Sequence, residues 1–326
     1  MNLKGWIELD GVRLSPADVE RMLKAGPEPL TRCGGEFLLT WDGCTARDAF
    51  GIMPGPVPPG VVCCGGRSVA RIAPDPPSCT LEEAIITAVN LRSDEGVVAF
   101  SGGVDSGLIA GLADLPCVAV GIEGSHDIIW ATKAALMMEL DLEVVTPTEE
   151  EVAEALARVV RVIPDPANPV EASIATTLFF VAARARELGH TRILAGQGAD
   201  ELFGGYARYL SSPDLAAELE RDVADHERQR ARDQAVATLH GTYFSMPYLD
   251  IRVVRAAQAI PSGEKVCGGC ENAPSGRSQN VISPLKSPGP RRKRCSTGAG
   301  SGGRYRGSHA GTAIDGLPST WKHYYE

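Results

Sequence analysis

From residue 78 onward, apolar positions fall into short runs that alternate with longer stretches of helical periodicity. The runs "GVVAF", "CVAVGIE", "LEVVTP" and "TRILAG" have the length and β-branched content of buried strands. Between them lie "SGLIAGLADL", "IIWATKAALMMEL", "EEVAEALARVVRVI" and "EASIATTLFFVAARARELG", patterned as helices with an apolar face. Strands separated by helices of this length predict a parallel sheet covered on both sides, a doubly wound α/β fold. A mostly helical section follows from Asp214 to Ile260, interrupted by "SMPYLD" near its end.

The first 77 residues are patterned differently. "GGEFLLTWDGCTARDAFGI", residues 34–52, consists of short β-like runs broken by Gly and Asp turns, and the proline-rich "MPGPVPPG" follows. A small β-rich module is expected over 1–77. "RIAPDPPSCT" reads as a linker, and "SCTLEEAIITAVNL" as a helix entered through a Ser or Thr cap with acids in its first turn. A second domain is therefore expected over 78–266. Residues 267–326 hold five Val, Ile, Leu, Phe or Met in 60 positions, too few to repay the entropy of ordering, so a disordered tail is expected there.

Charge separates the same segments. The net charge is −9, but residues 267–326 carry +6 and leave −15 on the rest. An acidic body argues against a dedicated binder of nucleic-acid backbones. No apolar run of about 18 residues is present, so no membrane role is expected. Nine cysteines are scattered through a chain with no secretory h-region at its start, which predicts reduced thiols and a cytoplasmic location.

Two glycine turns carry the candidate chemistry. In "VVAFSGGVDSGLIAGL" an apolar strand runs into Ser101-Gly102-Gly103-Val104-Asp105-Ser106 and then a helix. Glycines let backbone N–H groups point outward, hydroxyls add donors, and the helix start adds partial positive charge, a set suited to phosphate. A bare Ser-Gly-Gly also makes an ordinary strand-to-helix turn; the complete S-G-G-x-D-S is more specific, and no Walker G-x-x-x-x-G-K-[ST] accompanies it. Asp105 beside a phosphate cradle would repel it unless a divalent cation bridged the two, so it is either a candidate Mg²⁺ ligand or a helix-capping acid. In "ILAGQGADELFGGYARY", residues 193–209, a second strand meets a glycine turn followed by Asp200 and Glu201. In a parallel sheet both turns share the carboxyl edge, where Asp200 is placed to share that metal.

The first motif resembles the PP-loop of ATP pyrophosphatases. Together with G-x-G-[AS]-D-E-x-F-x-G-Y and "RARDQAVATLHGTYFSMPYLD", which is similar to a helix leading into P-F-L-D, it resembles the synthetase domain of the asparagine synthetases over about residues 80–265. The resemblance implies an ATP-dependent carbon–nitrogen ligase that adenylates aspartate with Mg-ATP, releases pyrophosphate and forms an amide with ammonia. It implies adenine and ribose contacts at Phe100, Val120, Ala195 and Gly196, and pyrophosphate contacts at Ser101, Gly102, Gly103 and Ser106. Asp105 and Asp200 would hold the metal, with Gln197 beside them. Implied partners are a small carboxylate and ammonia, with no nucleic acid and no membrane; homo-oligomerisation stays open.

Three departures qualify this. The family's glutaminase domain, similar here to residues 34–52, needs a cysteine after the initiator Met, and position 2 is Asn2, so a reduced module without glutamine hydrolysis is expected. Gln197 stands where the family usually has Glu, and an amide takes up no proton as a general base. That leaves other carboxylates open as substrates, and equally a catalytically impaired ATP-binding homologue. The tail lacks the family's Lys-bearing K-K-A-x-x-x-G-S-G run, but "RRKRCSTGAG", residues 291–300, can spell KKAMQYGSG when each codon takes the third base of one residue and the first two of the next. A shifted reading frame from about residue 267 is thus expected, against two alternatives: a natural basic arm, or a zinc- or nucleic-acid-binding module built on Cys267, Cys270, Cys295 and His309.

Overall fold

The computed structural model describes residues 1–265, and they form two sheets. The tail readings, including Cys267, Cys270, Cys295 and His309, lie outside the described residues. The first sheet is antiparallel. It takes in β1 (Asn2–Leu9), β2 (Val12–Arg13), β3 (Gly34–Trp41), β4 (Cys44–Arg47), β5 (Val61–Cys64) and β6 (Arg67–Arg71), in the order β2-β1-β3-β4-β5-β6. Helix α1 (Pro16–Leu23), entered through a Ser15 capping box, contributes Val19 to a small core with Ile7, Leu30, Phe37, Leu39 and Val62. The β character expected of 34–52 is therefore found, within a sheet that begins at Asn2.

A disulfide corrects the expectation of reduced thiols. Cys44 and Cys64 lie directly opposite on β4 and β5, where antiparallel pairing puts both side chains on one face of the sheet, and they are bonded. Cys33, Cys63, Cys79 and Cys117 are free.

The second sheet is parallel throughout. Thr80 caps α2 (Leu81–Asn90) with Glu83 as its capping-box partner. Then follow β7 (Val97–Ala99), α3 (Val104–Ala113), β8 (Cys117–Val120), α4 (His126–Met137), β9 (Leu142–Val145), α5 (Glu149–Val159), α6 (Pro169–Glu187), β10 (Arg192–Leu194), α7 (Ala199–Phe203), α8 (Leu215–Thr238), β11 (Tyr243–Ser245), α9 (Ile251–Gln258) and α10 (Ser262–Lys265). The strand order is β11-β10-β7-β8-β9. Alternate strand residues feed opposite cores, as the two-residue pleat requires. Val98, Phe100, Cys117, Ala119 and Leu194 pack with residues of α2, α3, α4 and α9; Val97, Val118, Ile193, Ala195 and Phe244 pack with residues of α5, α6 and α8. The doubly wound α/β expectation holds. Strand β11 falls inside the section expected to be helical; it is three residues long and pairs in register with β10, too short for its period to show in sequence.

This order fixes where a ligand can bind. From β7 the chain winds outward through β8 and β9, then returns to the other side of β7 with β10 and β11. The crevice beyond the carboxyl ends of β7 and β10 is the topological switch point, where sheets of this kind open to ligands.

Candidate functional site

Both glycine turns emerge at that crevice. The chain leaves β7 through Phe100, whose N–H donates to the Val118 carbonyl (2.9 Å). The Ser106 hydroxyl donates to the Gly103 carbonyl (3.2 Å) and accepts from Ser101 N–H (3.2 Å), while Gly103 N–H donates to Ser101 Oγ (3.2 Å). Gly102 has φ +81°, and a Cβ there would stand 2.8 Å from Ala131 Cα, so only glycine fits the bend. Helix α3 then starts without a side-chain cap, whereas every other described helix of eight or more residues has a Ser, Thr, Asn or Asp cap. Its first-turn N–H groups are left for an anion.

The second turn lies against the first. A Cβ on Gly196 would be 3.4 Å from Asp105 Cβ, and Ala195 N–H donates to the Ser245 carbonyl (3.0 Å). Asp105 and Asp200 are half-buried, and among the described residues neither carboxylate has a hydrogen bond or ion pair. Desolvation, then the nearby Asp200 and Glu201 charges, push the Asp105 carboxyl up to about 7. Desolvation and Glu201 push Asp200 up to about 6, against the pull of Arg208. Two unpaired acids that resist ionising together are what a cation would relieve. Among the described residues no three His, Cys, Asp or Glu side chains form a metal cage. The donor set fits Mg²⁺, which takes one or two carboxylates and completes its shell with phosphate oxygens and water.

Ser101, Gly102, Gly103, Asp105, Ser106, Gly196 and Asp200 thus come together. Phe100 and Ala195 send their side chains into the two cores and present backbone at the edge; Val120 ends β8 one strand away, opposite Val145. The Gln197 side chain is occupied elsewhere: its Nε2 donates to Asp233 Oδ2 on α8 (3.1 Å), and Asp233 in turn pairs with Arg232 (2.8 Å).

Residues 80–239 match the asparagine synthase family. Over that stretch, just under half of its length, the chain carries an asparagine synthase-type domain. A relative from Methanocaldococcus jannaschii, named as a glutamine-hydrolysing asparagine synthetase, is 35% identical over 192 residues, 56% of this chain and 35% of its own length. Asparagine synthetase [glutamine-hydrolyzing] 1 of Bacillus subtilis is 38% identical over 143 residues, 40% of this chain and 21% of its own. The chain therefore matches about a third or less of these relatives. Among solved structures, NMN synthetase from Francisella tularensis is 21% identical over 39% of this chain and 59% of that one, with a TM-score of 0.29.

Three residues around the two turns had no role assigned from sequence. Glu201, buried next to Asp200, accepts from the Tyr206 hydroxyl (2.6 Å) and Gln229 Nε2 (3.2 Å). Its signal was the acid pair itself, with Tyr206 five residues on. Asp233 gave none, because its partner is 36 residues away on the second turn. Tyr248, in the segment that reads P-F-L-D in the family, supplies a hydroxyl that donates to the Asp105 carbonyl (3.2 Å).

Proposed function

We propose that residues 78–265 adenylate a small carboxylate with Mg-ATP, aspartate first, releasing pyrophosphate, and that ammonia then displaces AMP to give the amide. The observation that carries this reading is the pair of glycine–acid turns at the β7/β10 crevice, with Asp105 and Asp200 unpaired beside an uncapped helix start. When bound, Mg-ATP supplies an electrophilic α-phosphorus and a pyrophosphate leaving group. Asp105 and Asp200 would hold the metal; Ser101, Gly102, Gly103 and Ser106 would seat the pyrophosphate through backbone N–H and hydroxyl donors. Phe100, Val120, Ala195 and Gly196 would line adenine and ribose. Ammonia is the nitrogen donor in this reading. A cytoplasmic location belongs to the same reading, and the Cys44–Cys64 bond is the observation that opposes it.

The test is pyrophosphate release with ATP, ammonia and a panel of carboxylates. Release with aspartate, and asparagine as product, supports the reading. Release with another carboxylate moves the substrate and keeps the reaction, an outcome that the engaged amide of Gln197 specifically favours. Mg-ATP binding without release for any carboxylate would identify an impaired homologue. Glutamate formed from glutamine by the purified protein would overturn the ammonia assignment. We also infer that the tail is read in a shifted frame, which would remove a transition-state-stabilising Lys and make turnover slow. Gene resequencing decides that point.

A further inference from the structure

A network of buried charges joins the two sheets at Glu36. This residue on β3 has no exposed surface, and both of its carboxylate oxygens are filled. Oε1 accepts from Arg92 Nε (2.8 Å) and from Met246 N–H (2.9 Å); Oε2 accepts from the Ser245 hydroxyl (2.5 Å) and Trp6 Nε1 (3.3 Å). Arg92 is likewise buried and continues to Asp250 (3.1 Å), so the segment 245–250 is tied to the antiparallel sheet near both of its ends. An acid this thoroughly satisfied fixes the atoms that donate to it.

The segment so fixed reaches the candidate site. Two residues beyond Met246, the buried Tyr248 donates its hydroxyl to the backbone carbonyl of Asp105, in the first turn of α3. The same pair of residues backs the other turn: Gly198, at φ +95°, lies so close that a Cβ on it would stand 2.8 Å from Leu249 Cδ2 and 3.5 Å from Tyr248 Cβ. Gly198 immediately precedes α7, which carries Asp200. One rigid segment therefore touches both acid-bearing turns and is itself held by a residue of the other sheet.

We propose that the antiparallel sheet serves as a buttress for the nucleotide edge, with Glu36 a positioning residue that sets the spacing of Asp105 and Asp200 through Met246, Tyr248 and Leu249. The part of the inference that concerns Mg-ATP rests on the proposed function; the mechanical connection does not. Three variants test it by amide hydrogen exchange of the unliganded full chain and by Mg-ATP titration. Tyr248→Phe removes the hydroxyl to Asp105, Glu36→Gln weakens the anchor, and Tyr243→Phe removes a half-buried hydroxyl from the start of β11, where its partner is Arg192.

Exchange at 101–107 and 197–203 should rise about threefold to tenfold in Tyr248→Phe and Glu36→Gln, with Mg-ATP affinity falling by a similar factor and metal-free AMP affinity changing less than twofold. Tyr243→Phe should lower the melting temperature and leave both loops and Mg-ATP affinity as in the parent. Unchanged exchange at both turns in Tyr248→Phe and Glu36→Gln overturns the buttress, and so does an equal effect of Tyr243→Phe. If Glu36→Gln does not fold, Tyr248→Phe alone decides. If the parent binds no Mg-ATP, the nucleotide reading fails and the exchange results still decide the buttress.

Discussion

Asp48, just past β4 of the antiparallel sheet, and Asp105, at the edge of the parallel one, are both aspartates with raised pKa values, and their surroundings are opposite in kind. Asp48 is 1% exposed, and its oxygens accept from the backbone N–H groups of Phe37 (3.3 Å), Ile52 (2.8 Å) and Met53 (2.9 Å). Burial lifts it to about 6, and the Met53 and Ile52 bonds pull it back. Asp105 is less buried yet stands higher, at about 7, because no hydrogen bond lowers it and Asp200 and Glu201 add repulsion. The difference teaches how to tell a structural acid from a binding one: the first has its partners in the chain, the second lacks them.

The sharpest way to break this comparison is to neutralise each acid in turn. Asp105→Asn should weaken Mg-ATP binding by roughly 100-fold or more, since it removes a proposed metal ligand, and should leave metal-free AMP binding within about twofold. Asp48→Asn should leave both within about twofold. Titration calorimetry of the two variants checks this, and equal losses of Mg-ATP and AMP in Asp105→Asn would remove the metal from the account.

Stability should show the reverse order. Asp48→Ala strands three N–H groups in a buried corner and should cost about 3 kcal/mol in denaturant unfolding. Asp105→Ala should cost little or nothing at pH 8 without metal, because the ionised carboxyl it removes is an unfavourable one. A loss as large as that of Asp48→Ala would show that Asp105 has a partner within the fold.

The pH dependence follows from the same values. A carboxyl whose folded pKa lies above its unfolded one stabilises the protein most below the unfolded value, near 4, and that contribution is lost as pH rises through the folded value. For Asp105 and Asp200 the window therefore runs from about 4 to about 7. The metal-free protein should melt several degrees lower at pH 8 than at pH 5.5, with Asp48 adding to the slope. Asp105→Asn should flatten part of it. Mg²⁺ should raise the melting temperature at pH 8 and do little at pH 5.5, where protons occupy its ligands.

How much of this was legible in the sequence depends on the range over which each feature acts. The strands and helices of 97–194 were readable because alternate residues such as Val97 and Val98 feed different cores, and because caps such as Thr80 act within three residues. The two turns were readable because glycine and acid stand within a few positions of each other. Glu36 was not, since its partners Ser245 and Met246 are about 210 residues away, at the end of a strand too short to show a period and just beyond it. The Cys44–Cys64 bond was hidden for a related reason: it depends on the register between two strands, which no spacing of cysteines displays.

The smallest expected effect concerns Gln197, whose amide, unlike the carboxylates of Asp105 and Asp200, has a side-chain partner within the fold. Its amide donates to Asp233, which has no exposed surface, also holds Arg232, and is pushed up by burial. Gln197→Glu keeps the shape, removes the donor and sets two carboxylates against each other, which the pair tolerates only by sharing a proton. The variant should therefore lose about 1 kcal/mol at pH 8 and recover most of it near pH 5, where that proton is available. Denaturant midpoints at the two pH values measure the difference. Equal midpoints for parent and variant at pH 8 would mean that the Asp233 contact does not hold Gln197, and that its side chain faces the crevice as a substrate contact would.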